Sequence, residues 1–304
     1  MTAPAPDVDE IVRLDFEVDL RLTLGELSKG PRDPTIRFER GVVWLAQRMS
    51  DGPATMRLAP AAGGWRVAAW GAGAAAAVTG VPRLLGAEDD PSALQLPPGR
   101  LRDLTAHLAG LRFGRTDAVW PSLVPAICGQ KVTAAQAHRA YFGIVRRWGE
   151  DAPGPGGLRL LPRPEVVAAL PYHAFHPLGL EQRRAVTLIH AAERATRLEE
   201  AVAMAPAAAL ARLRSIPGIG AWTAAEVARR AFGDPDAVSL GDFHVPDMVC
   251  WALAEEPRGG DERMLELLEP YRGQRGRVVR LIEAAGIHPP RYGPRLAPQR
   301  IENL

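Results

Sequence analysis

Arg212-Leu213-Arg214-Ser215-Ile216-Pro217-Gly218-Ile219-Gly220-Ala221-Trp222-Thr223 opens the stretch, running on to Asp242, around which this chain is organised. A short helix is expected to end near Arg214, and a second to start at Ala221. Between them, Pro217 fixes one φ and removes a donor, while Gly218 and Gly220 allow backbone geometry that other residues resist. The glycines also put no side chain between the backbone N–H groups and a visitor. The start of the second helix thus offers free N–H groups and a positive dipole end, a seat for a phosphate, to which Thr223 adds a hydroxyl.

Working outward, Val238-Ser239-Leu240-Gly241-Asp242-Phe243-His244 leaves the second helix through a Gly/Asp/Pro turn, and Asp242 follows Trp222 by twenty positions. This resembles the helix-hairpin-helix motif of DNA glycosylases: glycine-rich hairpin, following helix and catalytic aspartate, in that order and spacing. Two further segments extend the likeness. Cys128-Gly129-Gln130-Lys131-Val132-Thr133 is similar to the Gly-Gln turn of the alkylated-base branch, the 3-methyladenine DNA glycosylase II family. Leu178-Gly179-Leu180-Glu181-Gln182-Arg183-Arg184-Ala185 is similar to a second segment of that family. The match covers roughly residues 15–285, the first hundred by layout more than by motif.

The totals fit a folded protein. An apolar fraction of 47% supports a real core, and a net charge of +2 is too small to argue for nucleic acid unless basic residues cluster. Cys128 and Cys250, the two cysteines, offer neither a disulfide framework nor four ligands for an iron–sulfur cluster. No run approaches membrane-spanning length and the first residues are acidic, so no membrane partner and a cytoplasmic, nucleoid-associated bacterial protein are expected.

Residues 1–12 read as a loose start. Phe16 to Leu22 alternates apolar and polar, as a half-buried strand does, and short alternating runs continue to Val67. An antiparallel sheet is the expectation, with the Ala-rich run from Gly71 to Leu85 as a helix on it. From Leu101 the chain turns helical. Thr133 with Gln136 gives a capping-box start to a helix from Ala134 to Trp148, and Pro206 opens the helix leading to the hairpin. The expected fold class is α+β: a mostly α-helical helix-hairpin-helix core preceded by a small antiparallel sheet domain, which the resemblance likens to half of a TATA-binding fold. The expected units are residues 1–99 (sheet domain), 100–119 with 236–288 (one helical subdomain), 120–235 (the subdomain with the hairpin) and 289–304 (a mobile tail).

The resemblance implies a monofunctional DNA glycosylase whose partner is double-stranded DNA containing damaged bases, acting as a monomer on alkylated purines in base-excision repair. A damaged base is rotated out of the stack at a cost of roughly a few kcal/mol. Breaking the C1′–N bond builds positive charge on the sugar, which a carboxylate stabilises while orienting water. Asp242 carries that role by resemblance; an Asp at this place also suits a cap for the following helix, and the two roles are compatible. Trp222 stands where bifunctional relatives keep a lysine able to form a Schiff base. Lys29 falls in the front domain, leaving Lys131 as the lysine that would reopen strand cleavage.

The remaining site residues follow the same resemblance. Trp222 and Phe243 are candidates for an aromatic pocket that attracts a cationic base. Glu226, one turn after Trp222, either contacts the base or faces solvent, and Arg280 falls where the family has a second pocket tryptophan. Gly218, Gly220, Thr223, Gln130 and Lys131 are candidates for DNA contact. Lys131, at the family's apolar wedge position, is either a probe of the stack or a solvated loop residue. Arg272, Arg275, Arg277 and Arg280 are expected on one helix. A sodium or potassium ion at the backbone carbonyls of Arg214, Ile216 and Ile219 is implied as a candidate, and no other cofactor. Two alternatives stay open: a related glycosylase for deaminated or oxidised bases, and a non-catalytic helix-hairpin-helix DNA-binding protein.

Overall fold

A computed structural model describes residues 4–290. The front of the chain folds into a five-stranded antiparallel sheet ordered β1-β5-β4-β3-β2. Its strands are β1 (Val8–Val12), β2 (Ile36–Glu39), β3 (Val42–Met49), β4 (Gly52–Ala61) and β5 (Gly64–Trp70). Register pairs Val43 with Leu58 and Leu45 with Met56, so one face carries a continuous apolar surface. That face packs on helix α2 (Ala74–Leu84) through Ala74, Ala77, Val78 and Val81. On the opposite face, Trp44 stacks on Trp70 at 5.6 Å.

Two expectations for the front segment are corrected. Residues 8–12 are not a loose start: they form the edge strand β1, with Val8 opposite Ala69 and Val12 opposite Trp65. Phe16 to Leu22 does not make a strand. Asp19 accepts hydrogen bonds from the backbone N–H groups of Arg21 (2.7 Å) and Leu22 (2.9 Å), capping the short helix α1 (Leu20–Leu24). An N-cap with apolar residues at helical spacing behind it had the same letters as a strand, and the cap decided.

The rest is helical. Chain order gives α3 (Arg100–Thr105), α4 (Val119–Cys128), α5 (Ala134–Trp148), α6 (Pro164–Ala168), α7 (Gln182–Glu193), α8 (Ala195–Glu199) and α9 (Pro206–Arg214). Then come α10 (Ala221–Val227), α11 (Val245–Ala254), α12 (Asp261–Leu268) and α13 (Arg275–Ala284). The capping box at Thr133 and Gln136 is formed, and Pro206 takes the first position of α9. One apolar core spans α4 to α10 and includes Leu123, Ile127, Phe175, Leu188, Leu213 and Val227. A second joins Leu101 to Val249, Met264, Leu268, Val278 and Ile282. Arg272 precedes α13, so the four arginines are not on one helix; Arg277 is buried against Asp89 and the Phe113 ring. The tail expected from residue 289 lies outside the described residues from 291 on.

Candidate active site

The hairpin closes as its residue types require. Ile216 and Ile219 are buried anchors, and the Ile219 N–H donates to the Ile216 carbonyl at 3.0 Å. Gly218 has φ +92°, and a Cβ there would collide with the Thr187 side chain. Gly220 is different: its backbone is extended, and a Cβ would meet open space. The need for glycine is therefore sharp at Gly218 and slight at Gly220.

Gln130 ties the hairpin to the turn after α4. Its Nε2 donates to the Gly218 carbonyl and to Thr223 Oγ1, both at 2.9 Å. Thr223 is only 2% exposed, so its hydroxyl serves this internal bond and does not add to the phosphate seat, a correction to its expected role. Gln130 likewise spends its amide nitrogen on the hairpin. Lys131, next in sequence, is exposed and held at φ +55°, in the left-handed backbone region.

Trp222 is positioned from two sides. Its ring lies over Gly129, where a Cβ would stand 3.2 Å from Cη2. Its Nε1–H donates to Asp242 Oδ2 at 2.8 Å. The other carboxylate oxygen of Asp242 accepts from the backbone N–H groups of His244 (2.8 Å) and Val245 (3.1 Å) at the start of α11. The acid thus holds the helix start with Oδ1, as the capping expectation requires, while Oδ2 accepts from the indole.

Trp222 lines a cavity of about 360 Å³. The front segment contributes Gly25, Glu26 and Lys29; α4 and the turn after it contribute Pro125, Ala126 and Gly129. Glu226 continues the wall from α10, Arg229 and Arg230 from the helical turn Ala228–Phe232 that follows it, and Arg280 and Glu283 close it from α13. Phe243 does not line it. Its side chain is 77% exposed and meets His244 edge-on at 4.9 Å, which corrects its assignment to the pocket. Arg280 does line it, and donates to the Leu22 carbonyl at 3.1 Å.

Glu226 does not simply face solvent: it lines the cavity as a mostly buried carboxylate within an ion cluster. It accepts from Ser239 Oγ at 2.7 Å and from Arg230 at 2.8 Å, with Arg229 at 3.4 Å. Arg229 also meets Glu26 at 2.9 Å and Glu283 at 3.5 Å. Burial pushes the Glu226 carboxyl up, but Arg230, Arg229 and the Ser239 hydroxyl outweigh it and hold the group well below the usual carboxylate range.

The place of Lys29 in the front domain argues against a role at the site. The fold brings it to the cavity wall with Trp222. Its Nζ donates to the Glu26 carbonyl at 2.8 Å, and its backbone N–H donates to Asp33 at 2.7 Å. Glu26, Arg229, Arg230 and His138 were likewise missed. Nothing local in the sequence singles them out, because the wall is assembled from segments about two hundred residues apart, as in the Arg230 bond to the Glu26 carbonyl.

No family model matches the chain. It is 31% identical over 153 residues to DNA-3-methyladenine glycosylase 2 of Escherichia coli (strain K12), covering 49% of this chain and 54% of that protein. It is 32% identical over 126 residues to thymine-DNA glycosylase of Aeropyrum pernix, covering 41% and 51%. The chain spans about half the length of the curated relatives it matches. In structure it is similar to a 3-methyladenine DNA glycosylase from Archaeoglobus fulgidus, with a TM-score of 0.74 at 20% identity, over 91% of this chain and 98% of that one.

Proposed function

We propose that this chain, whose fold is that of the helix-hairpin-helix DNA glycosylases, is a monofunctional DNA N-glycosylase acting on alkylated purines in duplex DNA. The observation that carries the reading is the Asp242 carboxylate held by the indole of a residue that lines the cavity. In this reading the hairpin and the exposed Lys131 turn grip the strand, and the damaged base swings into the cavity. As the C1′–N bond breaks, its electron pair leaves with the base. Asp242 stabilises the cationic sugar and orients the water that adds to C1′. An N-alkylated purine is already cationic and leaves without much acid assistance. Two of the similar proteins, named as 3-methyladenine glycosylases, support the alkylated-base preference, whereas the thymine-DNA glycosylase does not bear on it.

The polar wall favours a second reading, a neutral deaminated or oxidised base. Trp222 is joined there by three arginines, three glutamates and Lys29, where the expected pocket paired Trp222 and Phe243 with Glu226 and Arg280. We also carry forward a sodium or potassium ion at the carbonyls of Arg214, Ile216 and Ile219. The Ile216 oxygen already accepts the Ile219 amide, which leaves it one lone pair for a cation. Exchange of sodium and potassium for a large organic cation at constant ionic strength should weaken duplex binding, and unchanged binding would remove the ion.

The test is a base-release assay over a panel of lesion duplexes with wild type and Asp242→Asn. The variant keeps one side-chain oxygen for the His244 and Val245 amides and loses the charge. Release should fall by at least about a thousandfold with duplex binding retained. A wild type inactive on every lesion would leave a DNA-binding module. A borohydride-trapped adduct between Lys29 and DNA would replace water attack with lyase chemistry.

A further inference from the structure

The cavity wall holds one amine whose position nothing in the reaction explains. Lys29 reaches it from the front segment, while Asp242 and Trp222 belong to the hairpin half. The carboxylates of the wall are taken by guanidinium groups: Glu226 by Arg230 and Arg229, Glu26 by Arg229, and Glu283 by Arg229 and Arg280. Among the described residues Lys29 makes no ion pair, and the Glu26 carbonyl is its one hydrogen-bond partner beyond its own backbone. An ammonium has three donors and a free amine has two donors and a lone pair, so in either form Lys29 keeps hydrogen-bonding capacity for a guest.

Resting on the glycosylase reading above, we propose that Lys29 is a specificity-determining residue that sorts extruded bases by charge. As ammonium it donates to the carbonyl oxygen of a neutral oxo-purine and repels a cationic N-methylated purine. As free amine it removes that repulsion and admits the cation. One cavity thus serves both substrate classes, each in its own pH range.

The surroundings support a switch near neutrality. Burial, and after it the Arg230 guanidinium, pull the Lys29 amine down to about 7, against the opposing pull of Glu226, Asp33 and Glu26. His138, which also lines the cavity, is held below its ordinary value by burial and by Lys29, with Asp33 acting the other way. Glu226, held below the usual carboxylate range, stays ionised across the same range, and Arg229, whose burial is outweighed by Glu226, Glu283 and Glu26, stays charged.

The experiment is single-turnover base release by the full chain from two duplexes, one with 3-methyladenine and one with hypoxanthine. Between about pH 6 and about pH 8 a group titrating near 7 changes its neutral fraction about tenfold, so wild-type release of the methylated base should rise by that factor and release of hypoxanthine should fall. Lys29→Met should flatten both profiles. Lys29→Arg, charged throughout, should hold release of the methylated base at its low-pH level. Carbon-13 labelling of lysine Cε gives a readout that does not need turnover: the signal lost in Lys29→Met should titrate near 7 in the wild type. If the wild type releases bases and both variants keep its pH profiles, Lys29 does not sort bases although the glycosylase reading stands. If the wild type releases none, that reading fails and the sorting role with it.

Discussion

The indole N–H of Trp222 donates to Oδ2 of Asp242 at 2.8 Å, so the cavity wall and the candidate reactive carboxylate are a single hydrogen-bonded unit. A hydrogen bond to a charged acceptor contributes about 1.5–3 kcal/mol, a range that corresponds to about ten- to a hundredfold in rate if it acts in the transition state. Trp222→Phe keeps an aromatic ring over Gly129 and deletes the donor. Base release is expected to drop within that range while duplex affinity holds. A rate equal to wild type would show that Asp242 is oriented by the His244 and Val245 amides alone.

Gly218 and Gly220 separate cleanly. Gly218→Ala places a methyl against Thr187 on a backbone at φ +92°, and should destabilise the fold by about 1–3 kcal/mol and weaken DNA binding. Gly220→Ala meets open space and should leave the melting temperature near that of wild type. Thr187→Ala added to Gly218→Ala should recover part of the loss. Equal melting temperatures for the two alanine variants would contradict the hairpin geometry.

Glu226 balances Arg229 and Arg230 in a buried setting. Glu226→Gln should cost about 3–5 kcal/mol, because removing one partner strands buried charge. The folded carboxyl sits below its unfolded value, so its contribution is complete above the unfolded value of about 4.3 and is lost as pH falls through the lower folded one. The melting-temperature gap between wild type and variant should hold at neutral pH and close only in strong acid. A gap that closes near neutrality would assign the stability to another group.

Lys29 works in the opposite sense. Its folded value of about 7 lies below the unfolded lysine value of about 10.4, so the folded state binds fewer protons between them and stability rises with pH there. The penalty for burying the ammonium is complete below about 7 and fades toward 10.4. Lys29→Met should therefore melt above wild type at low pH, with an advantage that shrinks in alkali. A constant difference would mean an unperturbed amine.

The hairpin was legible because its signal is local: Pro217, Gly218 and Ile219 favour a tight turn, while the role of Asp242 rests on the family resemblance. Phe243 misled because neighbours in a turn point in different directions, so adjacency to Asp242 in the chain did not mean adjacency in the cavity. Phe16 to Leu22 misled because one cap, Asp19, overrode a period-two pattern. The ion cluster and Lys29 were out of reach for a different reason. Their contacts join Glu26 to Arg229 and Arg230, and Leu22 to Arg280, across most of the length of the chain.

The guanidinium bridges from Arg229, Arg230 and Arg280 to the front segment make the cavity a property of both halves together. Substitutions around Gly25 to Lys29 can reshape what fits inside while the acid, the hairpin and their hydrogen bonds stay untouched. On the glycosylase reading, such an arrangement separates the choice of base from the machinery that cuts it loose.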